Sequence, residues 1–157
     1  MKKLIIFTSI IIVLFGALAF VTTYSNSEKV KGNPYGKDTL NQATTDQLDD
    51  PNYQNQILPE ELKASLEAGE TQTVYFYSPT CPACQASTPV VVPLAEELGI
   101  DLKKFNLLEF QAGWNEYGID VTPTIIHFVD GKEVKRIDSY QEEETFRTWF
   151  SELEVEK

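Results

Sequence analysis

The chain has 157 residues, 42% of them hydrophobic and 24% charged, with a formal net charge of −11. That apolar share is enough for a packed core and excludes wholesale disorder, and so acidic a surface repels phosphate backbones, which argues against nucleic acid as a partner. Two cysteines and one histidine cannot supply the four protein ligands of a structural zinc site within one chain, nor build a small secreted disulfide scaffold, so no metal is expected.

Residues 4–21 are an unbroken, mostly apolar run, softened by Thr8, Ser9 and Gly16 and preceded by Lys2 and Lys3. As a helix such a run spans about 27 Å, just short of a bilayer core of roughly 30 Å. Basic residues in front and an acidic body behind, 11 bases against 24 acids, put the N-terminus inside and the rest outside. Residues 1–21 are therefore expected to form a signal anchor, a single transmembrane helix in the cell membrane. Ala17-Leu18-Ala19 resembles a small-x-small cleavage site, so a removed signal peptide and a secreted body is the competing reading. Phe20 and Val21 carry the apolar run past that site and favour the anchor. No cysteine follows the run, which excludes a lipoprotein anchor.

Residues 22–56 are polar and poor in apolar periodicity, with turn residues crowding Asn33-Pro34-Tyr35-Gly36 and Asp49-Asp50-Pro51. A flexible stalk is expected there. From Ile57 to the end at Lys157 the pattern becomes globular. Pro59-Glu60-Glu61 suits a first helical turn, Leu62 and Leu66 stand four apart, and Gly69 closes the helix. Residues 73–77, Thr-Val-Tyr-Phe-Tyr, read as a buried strand ended by Ser78-Pro79. A helix follows from the first cysteine to about Leu98, with Pro89 and Pro93 predicting a kink. Residues 102–107 suggest a second strand and 109–117 a short helix. Residues 125–129 and 133–137 are two strands joined by the hairpin signal Asp130-Gly131. Ser139-x-x-Glu142 has the capping-box pattern for a last helix, whose buried face carries Phe146, Trp149, Phe150 and Leu153. The expected order is α, β, α, β, α, β, β, α.

A strand running straight into Cys81-Pro82-Ala83-Cys84 at a helix start has a physical meaning. With Cys81 as the N-cap, Pro82 takes the first helical position, where a missing N–H costs nothing. The free amides of Ala83 and Cys84 and the positive helix end then face the Cys81 sulfur. Such donors stabilise a thiolate and lower its pKa from about 8.5 toward 7. Cys84, one turn on, lies deeper and is the resolving thiol. A permanent structural disulfide is the bland alternative, but a loop this short removes little chain entropy. Redox chemistry is the better reading.

Phe76 to Cys84 (Phe-Tyr-Ser-Pro-Thr-Cys-Pro-Ala-Cys), Pro89, Tyr117-Gly118-Ile119-Asp120-Val121-Thr122-Pro123-Thr124 and Phe128-Val129-Asp130-Gly131-Lys132 together resemble the thioredoxin fold. The likeness covers about residues 57–153 and is closest to the exported, membrane-anchored thiol–disulfide oxidoreductases of bacteria. It implies an α/β domain with a central mixed sheet flanked by helices, behind the N-terminal transmembrane helix. It also implies that Pro123 is a cis-proline facing the disulfide, with Thr122 before it, where the backbone pairs with an extended substrate. Three features depart from the family. Tyr75 stands where thioredoxins carry a buried acid, Thr80 replaces a tryptophan, and the dipeptide Pro82-Ala83, which tunes the reduction potential, matches neither thioredoxins nor their strongly oxidising relatives.

The remaining candidates receive structural readings. His127 is expected to be a packed or edge residue, Lys104 a solvated strand lysine, and Glu142-Glu143-Glu144 a helix start that complements the dipole. The chain is thus expected to be an extracytoplasmic thiol–disulfide oxidoreductase that reduces, forms or isomerises disulfides in exported proteins. Cys81 and Cys84 carry the electrons, so no cofactor is needed; a membrane redox partner is expected. The alternatives are a non-catalytic adaptor or chaperone, and a maturation helper for one client.

Overall fold

A computed structural model describes residues 7, 10–18, 21 and 30–153. The chain divides into two compact units, residues 1–40 and 41–157. In the first, the described residues from Phe7 to Val21 are helical, and the rest of the expected anchor lies outside the described residues. Among the described residues no helix is long and apolar enough to cross a membrane. Further on, Asn33 shapes a turn by donating from Nδ2 to the carbonyls of Val30 and Lys37, at 2.6 and 2.7 Å.

The second unit is built on a four-stranded sheet. Its elements are α1 (Gln42–Thr45), a 3-10 turn (Pro51–Tyr53), α2 (Pro59–Glu67), β1 (Gln72–Tyr77), α3 (Pro82–Glu97), β2 (Leu102–Asn106), α4 (Gly113–Glu116), β3 (Thr124–Val129), β4 (Lys132–Asp138) and α5 (Glu143–Leu153). The strand order is β2-β1-β3-β4. β1 runs parallel to β2 and antiparallel to β3, and β3 is antiparallel to β4. β1, central and covered on both faces, is buried from Thr73 to Tyr77, as its continuous β-branched and aromatic composition requires. Alternation along it feeds two cores. Tyr75 and Tyr77 pack with Val91 and Leu94 of α3 and with Phe146 and Phe150 of α5. Val74 and Phe76 pack with Leu62, Phe105, Ile126 and Phe128 on the other face.

Three details differ from the expectations. Residues 41–56 are folded onto the unit. Tyr53 packs on Tyr77 with ring centroids 5.5 Å apart, and the buried Asn106 Nδ2 donates to Thr44 Oγ1 at 3.3 Å. The Lys104 amide donates to the Asn55 carbonyl, and the Ile57 amide to the Lys104 carbonyl, both at 3.0 Å. The strap therefore lies along the outer side of β2, and Lys104 beneath it is only 3% exposed. That is the reason Lys104 is not a solvated strand lysine. Burial lowers its pKa, while Glu96 and Asp101 act to raise it.

α3 runs continuously through Pro89 and Pro93. Both prolines face solvent, where water can satisfy the carbonyls that their missing N–H groups leave free. Ser139 is not a helix cap. It adopts a left-handed φ of 65°, its amide donates to the Pro123 carbonyl at 2.7 Å, and α5 starts only at Glu143. At the β3–β4 hairpin, Asp130 and Gly131 both have positive φ, 50° and 71°, the geometry that an Asp-Gly turn provides.

Candidate redox site

The site forms where β1 hands over to α3. After Tyr77 the chain turns through Ser78-Pro79-Thr80, closed by the Cys81 amide donating to the Ser78 carbonyl at 3.0 Å. Cys81 is then the N-cap of α3, with an extended backbone (φ −84°, ψ 117°) and Pro82 in the first turn. The Cys84 amide donates to the Cys81 Sγ at 3.2 Å. The sulfur thus occupies the place that a capping oxygen usually takes, at the positive end of a helix of 16 residues. Both cysteines are free thiols; Cys81 is half-buried and Cys84 is buried beneath it.

This placement separates the two thiols electrostatically. Partial burial pushes Cys81 up. It is outweighed by hydrogen bonds from Cys84, from Thr122 and from the amides of Cys84 and Ala83, so the pKa falls below the ordinary thiol value. Burial drives Cys84 the other way, and with the hydrogen bond to Cys81 it is pushed up to about 12. Hydrogen bonds from the Ser78 backbone and Thr122 offset only part of that rise. One thiol ionises readily and its neighbour does not.

Across from Cys81 lies the loop before β3. In the thiol form Cys81 Sγ donates to the Thr122 carbonyl at 3.3 Å, and the Thr122–Pro123 peptide bond is cis. The loop is fixed from behind. The Thr124 hydroxyl reaches the Val121 carbonyl and Asp138 Oδ1, each at 2.8 Å, and the Ser139 amide holds the Pro123 carbonyl. The structure therefore places the Thr122–Pro123 loop against Cys81, which caps the helix that carries Pro82, Ala83 and Cys84.

Two further residues lie against Cys84: Tyr75, which the resemblance puts where thioredoxins carry a buried acid, and Thr88, which the sequence left unassigned. Tyr75, fully buried and stacked on Tyr77 with ring centroids 5.7 Å apart, aims its hydroxyl at Thr88 Oγ1 (3.1 Å) and at the Cys84 carbonyl (3.4 Å). Thr88, in α3, donates to that carbonyl at 2.8 Å. For Thr88, only its spacing of one helical turn from Cys84 signals this in the sequence. His127 packs instead: it is 6% exposed, with Nδ1 2.9 Å from Thr73 Oγ1. Among the described residues no cluster of His, Cys, Asp and Glu could hold a metal ion.

A capped, low-pKa thiol over a buried partner, on a mixed sheet beside a cis-proline loop, defines a dithiol site of the thioredoxin type. The family model for thioredoxin matches residues 47–152, and the chain belongs to the thioredoxin family. It is 38% identical to a thioredoxin of Chlamydia caviae over 63 residues, 40% of this chain and 62% of that protein. It is 33% identical to the thioredoxin of Chlamydia muridarum over 82 residues, 52% of this chain and 80% of that protein. Among solved structures, a mutant thioredoxin from Halobacterium salinarum superposes with a TM-score of 0.51 at 29% identity, covering 59% of this chain and 82% of that one. The chain spans less than two thirds of the C. caviae protein's length.

Proposed function

We propose that this protein is a thiol–disulfide oxidoreductase working outside the cytoplasm, tethered by residues 4–21, on thiols and disulfides of exported proteins. The observation that carries the chemistry is the Cys84 amide donating to the Cys81 sulfur at 3.2 Å, which makes Cys81 the nucleophile. In the reducing direction the Cys81 thiolate attacks one sulfur of a client disulfide. A Cys81–client bond forms as the client's S–S bond breaks, and the first client sulfur leaves as a thiolate. Cys84 then loses its proton and attacks the Cys81 sulfur. The second client thiolate is released, the Cys81–Cys84 disulfide forms, and two electrons have passed to the client. A client dithiol drives the same steps backward.

The location is supported by Lys2 and Lys3 ahead of the apolar run and by the acidic body behind it. An alkaline phosphatase fused after Leu40 should be active, and inactivity there would overturn the orientation. The activity is tested by reduction of insulin and by reactivation of scrambled ribonuclease with the full chain. Failure in both favours the non-catalytic adaptor.

A further inference from the structure

The surface around the dithiol carries two features that electron transfer does not require. The first is a pair of exposed apolar side chains beside Pro123. Val121 is 38% and Tyr140 43% exposed, and neither belongs to a core cluster. A single exposed apolar residue on a protein surface needs no explanation. These two are different because their backbones flank the loop that faces the reacting sulfur. Val121 precedes Thr122, whose carbonyl faces Cys81 Sγ at 3.3 Å. Tyr140 follows Ser139, whose amide holds the Pro123 carbonyl at 2.7 Å. The left-handed Ser139 (φ 65°) turns the chain out of β4 at that point, and Tyr140 is exposed directly after it.

The second feature is the sign of the surrounding charge. Three segments meet at this end of the sheet, residues 78–84, 119–123 and 138–142. Together they contain Asp120, Asp138 and Glu142 and no lysine or arginine. Asp138 is occupied by the Thr124 hydroxyl at 2.8 Å. Asp120 and Glu142 are exposed. Arg136, which feels the charge of Asp120, is engaged elsewhere: Glu133 grips its Nε and Nη2, both at 2.6 Å, and its Nη1 donates to the Gly118 carbonyl at 2.9 Å.

We propose that Tyr140 and Asp120 determine client specificity, so that the site favours a polypeptide segment whose reactive cysteine is flanked by an apolar or aromatic side chain and by a basic one. The inference rests on the thiol–disulfide reading of the same site. Tyr140 supplies a flat apolar face with a polar tip, and Asp120 supplies a charge that speeds encounter with cationic segments and disfavours acidic ones.

The test uses the reduced full-length chain in non-ionic detergent, under single-turnover conditions. The substrates are neutral hydroxyethyl disulfide and peptide disulfides that differ only beside the cysteine, Phe-Cys-Lys, Phe-Cys-Glu and Gly-Cys-Lys. The Lys peptide should be attacked about threefold to fivefold faster than the Glu peptide at low salt, with the gap closing at high salt. Asp120→Lys should reverse that ratio. Tyr140→Gly should bring the Phe-to-Gly peptide ratio close to one. Attack on hydroxyethyl disulfide with no discrimination among the peptides, or a Lys-to-Glu ratio unmoved by Asp120→Lys, overturns the inference alone. No attack on hydroxyethyl disulfide overturns the underlying thiol–disulfide reading.

Discussion

The Tyr75 hydroxyl stands 3.1 Å from Thr88 Oγ1, and Thr88 in turn donates to the Cys84 carbonyl at 2.8 Å. Both hydroxyls are committed to each other and to the backbone, so neither is available to take the Cys84 proton. The other groups acting on that thiol are Cys81, the Ser78 backbone and Thr122. None is a carboxylate, an imidazole or an amine.

Release of a mixed disulfide should therefore depend on solvent base. Cys84 is pushed up to about 12, first by burial and second by Cys81. Joining Cys81 to a client removes the second contribution and leaves the first. The Cys84 thiolate fraction should then rise about tenfold per pH unit through pH 6–9, and single-turnover release should rise with it. A plateau near neutral pH would show that an internal base serves Cys84.

The two thiols should separate in titration and in trapping. Hydrogen bonding at the helix start outweighs burial at Cys81, so its thiolate persists below the usual midpoint of about 8.5. Iodoacetamide should modify one thiol with a midpoint under that value. Cys84→Ser should accumulate reducible adducts with clients in the native cell, because no internal thiol remains to displace them. Cys81→Ser should accumulate few. Equal trapping by both variants would sink the assigned roles.

Lys104 should be a liability to stability. Its pKa is lowered by burial, so the unfolded chain binds its proton more tightly than the folded one. Stability then rises with pH through the window between the folded and unfolded values and is reduced below it. Lys104→Met should stabilise the fold at pH 7 by about 1 kcal/mol. Urea unfolding should show that gain shrinking as pH approaches the ordinary lysine value. A loss of stability at pH 7 would mean that the ammonium contributes favourably where it lies.

Gly131 closes the β3–β4 turn under two constraints. Its φ is 71°, and a Cβ there would lie 1.9 Å from the Leu66 carbonyl oxygen. Gly131→Ala must shift backbone against backbone, and should cost about 2 kcal/mol or more. Gly99→Ala, with φ 66° and open space around it, should cost less. Denaturation midpoints of the two variants decide the order.

The strands and the redox pair are legible in the sequence because each is written locally. The run from Thr73 to Tyr77 can only be a covered strand, and the Cys-x-x-Cys at its end needs no distant residue to cap a helix. Lys104 is hidden from the same reasoning, because its cover comes from residues around Asn55, far back in a stretch whose polar composition suggests solvent. That stretch buries polar groups by pairing them at long range, as Thr44 does with Asn106 across 62 positions. Ser139 misleads for another reason: a capping-box spacing says nothing about φ, and here the left-handed backbone sends the amide to Pro123 rather than into a helix. Tyr75 and Thr88 meet only when α3 lies across β1, a relation that no single segment encodes.

The strap along β2 also bears on how the sheet is kept from pairing with other chains. An uncovered strand margin offers a row of amides and carbonyls on which any extended chain can nucleate a new layer. Asn55 and Ile57 engage those groups of Lys104 at one margin. At the opposite margin, β4 presents Lys132, Glu133, Lys135 and Arg136 in close succession, charges that discourage another strand from settling there. Both flanks of the sheet are thus guarded against the addition of a further strand. A sheet closed in this way offers no seam along which a second chain could grow.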